Sequence, residues 1–402
     1  MAAACGLLDG AGNPKPTIFT EMSALAAQTN SANLGQGFPD EDGPEWIREA
    51  AIEAIRAGVN QYAPGRGSLD LRQAIAAHQA RHYGLTLDPE SEVLVTTGAT
   101  EAIAAALLAL AGPGDEVVTL EPFYDSHAAC IAMAGATHVT VPLVPHGGGF
   151  RLDADALRQA VGPRTRVILV NTPHNPTGTV LNLAELEAVA AAARAVDAIV
   201  VTDEVYEHLV FDGARHVPIA SLPGMRERTL TISSSGKTFS LTGWKIGWVA
   251  GPAPLIDALL AVKQFLTFTS GAPFQRAIAR ALGTGKAGGD ADINALRDTL
   301  SYRRGLLMDG LAAAGFKTVR PDGTYFVCAD ASPFLSAEVA DGAAFARWLP
   351  GAIGVACVPL SAFCRAGSPT AHALANWVRF TFVKREDTLR TAIDRLAGLN
   401  SA

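Results

Sequence analysis

The chain has 402 residues, of which 49% are hydrophobic and 18% are charged, and its formal net charge is -7. This length allows large hydrophobic cores and predicts two or more domains. The acidic balance, without a long basic run, provides no general electrostatic basis for binding nucleic acid. The composition is therefore typical of a compact enzyme and argues against a disordered or nucleic-acid-binding protein.

Five cysteines are scattered along the chain without a CxxC pair: Cys5, Cys130, Cys328, Cys357 and Cys364. They predict reduced packing residues, with neither a disulfide framework nor a metal site. Residues 1–12 lack the basic and apolar regions of a signal peptide. The most apolar stretch, residues 102–111, is far shorter than the roughly 20 residues of a membrane span. We therefore expect a cytoplasmic protein without membrane contacts.

Two irregular segments flank the first predicted helix, residues 44–57. Residues 33–42 read Asn-Leu-Gly-Gln-Gly-Phe-Pro-Asp-Glu-Asp, where glycines allow the backbone to approach a ligand closely. Residues 60–67 contain Tyr62 and an arginine among turn-forming residues. By itself this second segment is most simply interpreted as a surface loop.

Strands and helices alternate from residue 92 onward. The strand 92–96 opens into a helix that runs to about Leu110, and the free N–H groups at the start of such a helix can bind a phosphate, although most helices carry no ligand there. Further strands are predicted at residues 116–120, 137–141, 166–171 and 198–202, with helices at residues 128–134 and 154–160. The alternation predicts a largely parallel sheet with helices on both faces, and in such sheets ligands bind at the carboxyl ends of the strands.

Three polar side chains follow these predicted strand ends. Each has a purely structural interpretation: Tyr124 as packing, Asn175 as a turn residue before a proline, and Asp203 as a cap. Together with an amine, however, a phenol, an amide and a carboxylate supply the groups that a pyridine aldehyde cofactor requires. The combination favours a site over three unrelated structural residues.

A lysine provides that amine in the segment 233–248. The strand predicted at residues 229–233 leads into a Gly-containing loop that presents Lys237, and partial desolvation of such an amine favours condensation with an aldehyde. Ser234, three residues earlier, and Lys245, eight residues later, offer a hydroxyl and a positive charge for a phosphate. Taken alone, this segment is explained equally well as a Ser/Gly loop with two solvated lysines.

The C-terminal part changes from helices to short strands. Helices are predicted at residues 254–265, 273–282 and 293–314, with a hinge at residues 283–289, and strands at residues 317–320, 325–329, 355–358 and 377–382. The last strand carries Arg379 among apolar residues. An arginine on a strand is most often solvated, but on a closing domain it can bind a substrate carboxylate through two parallel hydrogen bonds.

Seven motifs occur in an order that resembles the class I and II, fold-type I pyridoxal-phosphate aminotransferases: Asn-Leu-Gly-Gln-Gly-Phe-Pro-Asp, Asn-Gln-Tyr, Glu-Pro-Phe-Tyr-Asp, Pro-His-Asn-Pro-Thr-Gly, Thr-Asp-Glu-Val-Tyr, Ser-Gly-Lys-Thr-Phe and Val-Arg-Phe-Thr-Phe. The set spans nearly the whole chain and is specific, whereas any single motif is not. The chain is most similar to the kynurenine/glutamine-transaminase-like group and the actinobacterial N-succinyldiaminopimelate aminotransferases. The resemblance implies an α/β fold, with a mainly parallel sheet flanked by helices in a large domain of residues 45–288, and a small α+β domain of residues 1–44 and 289–402.

The resemblance also implies a role for each candidate residue. Lys237 binds pyridoxal 5'-phosphate covalently, and Asp203 pairs with its ring nitrogen. Tyr206 and Asn175 bond its phenolate oxygen, and Tyr124 stacks on the ring. The phosphate is held by Ser234, Lys245, the N–H groups of Ala99 and Thr100, and Tyr62 of the second subunit of a homodimer with shared sites. The substrate contacts Arg379, Asn175, Gly37 and Phe19. The Asn175–Pro176 peptide bond is expected to be cis, which X-Pro bonds permit at low cost.

The activity implied is transfer of an amino group from glutamate to a 2-oxo acid by a ping-pong mechanism. Kynurenine enzymes typically carry tryptophan at the position of Phe19, an aromatic residue at that of Thr100 and phenylalanine at that of Tyr124, so their aromatic pocket is only partly present. This difference favours the diaminopimelate group.

Three other functions remain as alternatives. Two use the same cofactor: a kynurenine-, glutamine- or methionine-type aminotransferase, and a cysteine-conjugate β-lyase. The third, a non-enzymatic regulator, requires a helix-turn-helix module, and only about 30 residues precede the first motif.

Overall fold

The protein is described by a computed structural model that covers residues 7–8, 11–146, 148–283 and 288–401. The helices are α1 Ile18–Gln28, α2 Glu45–Arg56, α3 Leu69–Tyr83, α4 Gly98–Leu110, α5 Asp125–Ala134, α6 Ala154–Ala160, α7 Leu183–Val196, α8 Ser235–Thr238, α9 Ala253–Leu266, α10 Ala272–Ala281, α11 Asp290–Ala313, α12 Gly342–Ile353, α13 Pro369–Ala373 and α14 Glu386–Leu396. The strands are β1 Ala32–Asn33, β2 Val93–Thr97, β3 Glu116–Glu121, β4 Thr137–His146, β5 Gly149–Leu152, β6 Thr165–Asn171, β7 Ile199–Asp203, β8 Thr229–Ser234, β9 Ile246–Ala250, β10 Lys317–Val319, β11 Phe326–Asp330, β12 Val355–Ala356, β13 Val358–Pro359 and β14 Trp377–Thr381.

An eight-stranded sheet in the order β2-β9-β8-β7-β6-β3-β4-β5 forms the centre of the molecule. Strands β8, β7, β6, β3 and β4 run parallel, while β9 is antiparallel to both of its neighbours and β5 is antiparallel to β4. The parallel strands β3, β6, β7 and β8 are almost wholly buried and carry valine, isoleucine and leucine, because helices cover both faces of the sheet. The predicted parallel α/β architecture is therefore confirmed.

The register of the parallel strands positions the polar residues at their carboxyl ends. Asn171 at the end of β6 lies opposite Asp203 at the end of β7, and Asp203 lies opposite Ile232 of β8. Strand β8 continues to Ser234, so its last residue extends beyond the neighbouring strand end. The residues that follow β8 therefore lie beside Asp203 at one edge of the sheet.

A second, four-stranded antiparallel sheet has the order β10-β11-β14-β13. Strand β14 lies inside this sheet, where Arg379 pairs with Cys328 of β11 and with Val358 of β13. The N-terminal segment joins the same region, because β1 pairs in parallel with β12. This arrangement agrees with a small domain built from both ends of the chain, but the boundaries predicted at residues 44/45 and 288/289 stay a prediction.

Most of the predicted elements are present, but helices α1, α3, α7, α12, α13 and α14 were not predicted, and several other elements differ. Helix α5 begins at Asp125, earlier than predicted, and α11 begins at Asp290; both start with an acidic residue that favours a helix N-terminus. Strand β4 continues to residue 146 because it pairs with the unpredicted β5. Strand β9 was not predicted, since two glycines and Lys245 precede it in a turn-like sequence.

Other sequence expectations have mixed outcomes. The Asn175–Pro176 peptide bond is cis, as predicted, and so are Glu121–Pro122 and Thr172–Pro173. The four cysteines among the described residues form no disulfide, while Cys5 lies outside the described residues. Of the predicted hinge at residues 283–289, residues 284–287 also lie outside them. In the described part of the chain, every helix is too short or too polar to cross a bilayer.

Two glycines of α11 provide a matched test of the packing between α11 and α14. A Cβ atom at Gly310 would lie 2.5 Å from Cγ1 and 2.7 Å from Cγ2 of Ile393, whereas a Cβ atom at Gly305 would meet no heavy atom within 4 Å. We expect Gly310→Ala to lower the free energy of unfolding by about 1–3 kcal/mol through overpacking. The control Gly305→Ala is expected to raise it by up to about 1 kcal/mol through helix propensity. Urea unfolding followed by circular dichroism measures both, and shifts of the same sign would contradict this packing.

Candidate active site

A cavity of about 390 Å³ opens at the carboxyl ends of the parallel strands, between the large sheet and the sheet that contains β14. Every predicted site residue except Tyr62 lines this cavity: Phe19, Gly37, Ala99, Thr100, Tyr124, Asn175, Asp203, Tyr206, Ser234, Lys237, Lys245 and Arg379. These residues come from both ends and the middle of the chain. The tertiary structure therefore brings the predicted set together.

Lys237 lies in a single helical turn, α8, directly after β8. The sequence predicted a loop here, and this expectation is wrong because the Phe239 N–H donates to the Ser235 carbonyl at 2.9 Å and closes a helical turn. The Thr238 hydroxyl also donates to the Ser234 carbonyl at 3.1 Å. The Ser235 hydroxyl donates to the Ile246 carbonyl at 3.0 Å and ties the turn to β9. Gly236 permits a close approach, since a Cβ atom there would lie 3.1 Å from Cα of Thr242. The lysine is thus presented by a short, anchored turn.

One end of the cavity is built to receive an anion. Gly98 begins α4 with φ of +72°, and a Cβ atom on it would lie 3.0 Å from Nζ of Lys245. The ammonium group of Lys245 therefore lies against the start of α4, where backbone N–H groups lack intrahelical partners. Ser234 contributes a buried hydroxyl at the same cavity wall. This combination of N–H groups, hydroxyl and cation fits a phosphate.

The electrostatics of this end favour the same conclusion. Partial burial lowers the pKa of Lys245, and repulsion from the nearby Lys237 lowers it further, while Glu101 opposes the shift. Glu101 is itself buried and accepts a hydrogen bond from the Thr97 N–H at 2.6 Å. A bound dianion would relieve the repulsion between the two ammonium groups.

The opposite wall of the cavity carries a buried carboxylate. Asp203 ends β7, and its Oδ2 lies 3.3 Å from Nε2 of His127, a buried residue of α5. The Asn171 side chain donates to the Asp203 carbonyl at 2.8 Å and accepts from the Asn175 N–H at 2.6 Å. Asn171 therefore couples the loop of Asn175 to the strand end of Asp203.

Two tyrosines flank the lysine. Nζ of Lys237 lies 5.8 Å from the ring centre of Tyr206 and 5.5 Å from that of Tyr325. The rings meet edge to face at 5.2 Å, and the Tyr325 hydroxyl donates to the Gly37 carbonyl at 2.6 Å. Burial raises the pKa of Tyr206 well above its ordinary value, and burial also raises that of Tyr124. Both phenols are therefore protonated at neutral pH and available as hydrogen-bond donors.

Arg379 is buried at the end of the cavity that β14 contributes. Its Nη1 donates to Oδ1 of Asn175 at 2.8 Å, and its Nη2 donates to the Gly35 carbonyl at 2.9 Å. Its guanidinium carbon lies 3.9 Å from the ring centre of Phe326 and 4.7 Å from that of Phe363. Burial lowers its pKa to about 10, so the group stays charged at neutral pH.

Arg379 forms no ion pair with a described acidic residue, and its buried Nε has no hydrogen-bonding partner among the described residues. A buried charge without a counterion is unfavourable, and a bidentate carboxylate satisfies it well. Arg379 is therefore suited to bind the carboxylate of a ligand.

Tyr62 is the predicted residue that the cavity does not include. Its side chain is 84% exposed and touches the ring of Phe268, whose centre lies 5.6 Å away. Phe265 and Leu266, which precede Phe268 in the sequence, are also exposed, and Phe265 is 85% exposed. Tyr62 and Phe268 thus form an exposed apolar patch, which is typical of a contact surface between proteins.

The predictions did not include several residues of this site, among them His127, Asn171, Tyr325 and Phe326. His127 follows Tyr124 by one helical turn, so its position on the same face of α5 was a usable signal. Asn171 ends a predicted strand and was open to the same argument as Asp203. Tyr325 and Phe326 lie in a different sheet and contact the site only through the tertiary fold.

The donor set fits pyridoxal 5'-phosphate. An anion cradle, an amine, a buried carboxylate and protonated phenols line one cavity, and a separate arginine remains available for a substrate. The individual roles of these residues stay predictions.

Residues 29–396 match the family described as aminotransferase class I and II. A Mycobacterium tuberculosis protein described as probable N-succinyldiaminopimelate aminotransferase DapC is 57% identical over 387 residues, which cover 95% of this chain and 96% of that protein. The solved structure of N-succinyldiaminopimelate aminotransferase from Mycobacterium tuberculosis has a TM-score of 0.91 at 56% identity, with 96% of this chain and 97% of that chain covered.

More distant relatives carry other names within the same family. An Escherichia coli methionine aminotransferase is 40% identical over 383 residues, which cover 95% of this chain and 96% of that protein. Kynurenine–oxoglutarate transaminases also match. The resemblance and the fold predicted from the motifs are confirmed: the chain belongs to the class I and II aminotransferases and is a pyridoxal-phosphate-dependent enzyme.

Proposed function

We propose that this aminotransferase moves the amino group of glutamate to the keto acid that corresponds to N-succinyldiaminopimelate, in the biosynthesis of lysine. The observation that carries the proposal is Arg379, a buried guanidinium with an unpartnered Nε at the wall of the cavity that holds Lys237. The choice of acceptor is supported by the 57% and 56% identities to the mycobacterial relatives, against 40% to the methionine aminotransferase.

The chemistry divides between the cofactor and the chain. When bound, pyridoxal 5'-phosphate supplies an electron sink that stabilises negative charge at Cα of the substrate. Lys237 would hold the cofactor covalently through Nζ, and its amine, when free, would be placed to take the proton from that Cα. The carboxylate of Asp203, oriented by His127, would keep the pyridine nitrogen protonated. Tyr206 and Asn175 would donate to the phenolate oxygen.

Arg379 orients both substrates in the same way. Donor and acceptor share one α-carboxylate position, because the two half-reactions use the same site. The Asn175 side chain already accepts a hydrogen bond from Nη1, which holds the guanidinium plane in place before a carboxylate arrives. A preorganised guanidinium loses little entropy on binding and thereby aligns Cα with Lys237.

The far end of the substrate faces a cavity wall that is only partly aromatic. Among the described lining residues, the cations are Lys237, Lys245 and Arg379, and all three already have roles in this proposal. The wall near Phe19 also contains Gln36 and Thr100 in place of a ring of aromatic side chains. We infer that the distal acidic groups of the acceptor extend towards the cavity mouth and meet solvent or a second subunit.

The proposed assembly is a homodimer with shared sites, located in the cytoplasm. The exposed apolar patch around Tyr62 supports the dimer, because a large ring that is 84% exposed gains stability when a partner covers it. In the dimer, Tyr62 of one subunit donates to the phosphate bound by the other. The cytoplasmic location rests on the sequence alone.

Lys237→Ala is expected to abolish both turnover and covalent retention of the cofactor, because no other amine replaces Nζ on α8. Borohydride reduction followed by peptide mass spectrometry locates the labelled lysine, and circular dichroism checks the fold. Lys317→Ala, an exposed lysine on β10, is the control and should keep the label on residue 237. A label on any other lysine would refute this assignment.

Shared sites are tested by mixing two inactive chains. A Lys237→Ala chain supplies an intact Tyr62, and a Tyr62→Ala chain supplies an intact Lys237, so a mixed dimer contains one complete site. Random exchange of subunits should restore about a quarter of the wild-type activity. Sedimentation measures the dimer, and activity that stays at the level of the unmixed chains would exclude sharing.

Acceptor choice is decided by comparing kcat/KM for three keto acids with glutamate as donor. The keto acid of N-succinyldiaminopimelate is expected to exceed phenylpyruvate and the keto acid of glutamine by tenfold or more, or about 1.4 kcal/mol of differential transition-state binding. A tenfold advantage for either competitor would replace this proposal with the kynurenine- or glutamine-type activity. Release of pyruvate from a cysteine conjugate would indicate β-lyase activity.

A further inference from the structure

Three histidines form a cluster outside the active-site cavity. His78 and His82 are separated by four residues on α3 and therefore share one face of that helix. His208 follows the turn after β7 and lies opposite them. One nitrogen from each ring can be chosen so that all three lie within 4.8 Å of one another.

The ring geometry is close to that of three imidazoles on one metal ion. The ring centres are 4.5 Å apart for His78 and His82, and 4.9 Å apart for each of them with His208. For a tetrahedral zinc ion with Zn–N bonds of about 2.0–2.1 Å, ring centres are expected at roughly 5 Å from one another. Only small side-chain adjustments are therefore needed to bring three nitrogens onto one ion.

Hydrogen bonding among the protein groups does not satisfy the buried ring of His78. Its Nε2 lies 2.8 Å from Nε2 of His208, while its Nδ1 is buried and has no partner among the described residues. Burial is also the largest cause that lowers the pKa of each of the three rings, to about 3 for His208. Neutral imidazoles carry the free electron pairs that a metal ligand needs.

We propose that His78, His82 and His208 form a binding site for a divalent transition-metal ion of the zinc type. Imidazole ligands suit zinc, cobalt, nickel and copper, and three histidines leave a fourth position for water or a carboxylate. Asp290 is a candidate for that position, since its Oδ1 lies 3.4 Å from Nε2 of His82; the same oxygen also accepts from Arg81 at 3.0 Å. An ion reaches the site from solvent on this side, because His82 and Asp290 are partly exposed.

The ion would join α3 to a segment that also serves the active site. His208 comes two residues after Tyr206, and the intervening Glu207 is buried and accepts a hydrogen bond from Ser233, the neighbour of Ser234. A metal at the histidines would therefore hold the turn that carries Tyr206 against α3. We assign the site a structural role, since none of its ligands lines the catalytic cavity.

The sequence did not predict this metal site, because its ligands come from segments that are far apart in the chain. His78 and His208 are 130 positions apart, and their spacing matches no local metal-binding pattern. The pair on α3 alone is more often a solvated helix face than a ligand set. Only the packing of α3 against the turn after β7 adds the third imidazole.

The test uses the purified holoenzyme after treatment with a chelator. Titration with Co²⁺ is followed by its visible absorption, which reports tetrahedral coordination and does not depend on catalytic activity. We expect one ion per chain at these histidines and a dissociation constant that rises by at least tenfold in His82→Gln. His82 is exposed, so this variant should fold normally. His372→Gln, an exposed histidine on α13, is the matched control and should bind as the wild type does.

Thermal unfolding provides an independent measurement with Zn²⁺ as the probe. Because the ion binds the folded chain, saturating Zn²⁺ should raise Tm of the wild type and of His372→Gln. The increase should be lost in His82→Gln and in a second variant, His208→Asn. Absence of stoichiometric Co²⁺ binding, or equal affinity in the wild type and His82→Gln, would overturn the proposal.

Discussion

The parallel register of β6, β7 and β8 is the constraint on which the rest of the site depends. It places the ends of these strands side by side, so that Asn171 pairs with Asp203 and β8 extends past both. Because buried strands tolerate no register slip of one residue without reversing every side chain, this alignment is strongly determined. This register fixes the positions of the Lys237 amine on α8, the Asp203 carboxylate and the loop of Asn175.

Electrostatic imbalance is the second organising feature. The cavity has two ammonium groups at one end and a guanidinium at the other, and Asp203 and Asp125 are its acidic lining residues. Burial of unpaired cations destabilises the folded chain, and a bound phosphate and a bound carboxylate would relieve that cost. In the proposed function, the same imbalance would orient the cofactor and the substrate relative to each other.

The turn after β7 connects this cavity to helix α3. Asp203 and Tyr206 face the cavity, while Glu207 contacts Ser233 and His208 meets the histidines of α3. Polar contacts therefore hold the turn on both sides, in addition to hydrophobic packing. The rigidity of the turn depends both on its contacts with Ser233 and on those with the histidines of α3.

The sequence by itself determined the family and the parallel architecture, and it identified twelve of the residues that line the cavity, because strand ends, motifs and turn chemistry are local properties. It also identified Lys237 and Arg379, although it expected a loop at the lysine and a solvated environment as the commoner case for the arginine. Only the tertiary structure decided that Arg379 is buried and forms no ion pair with a described acidic residue, since β14 becomes an inner strand and Phe326 and Phe363 come from distant segments. It likewise decided that His127 supports Asp203 and that three histidines converge, because these contacts join segments far apart in sequence, where no local pattern reports proximity.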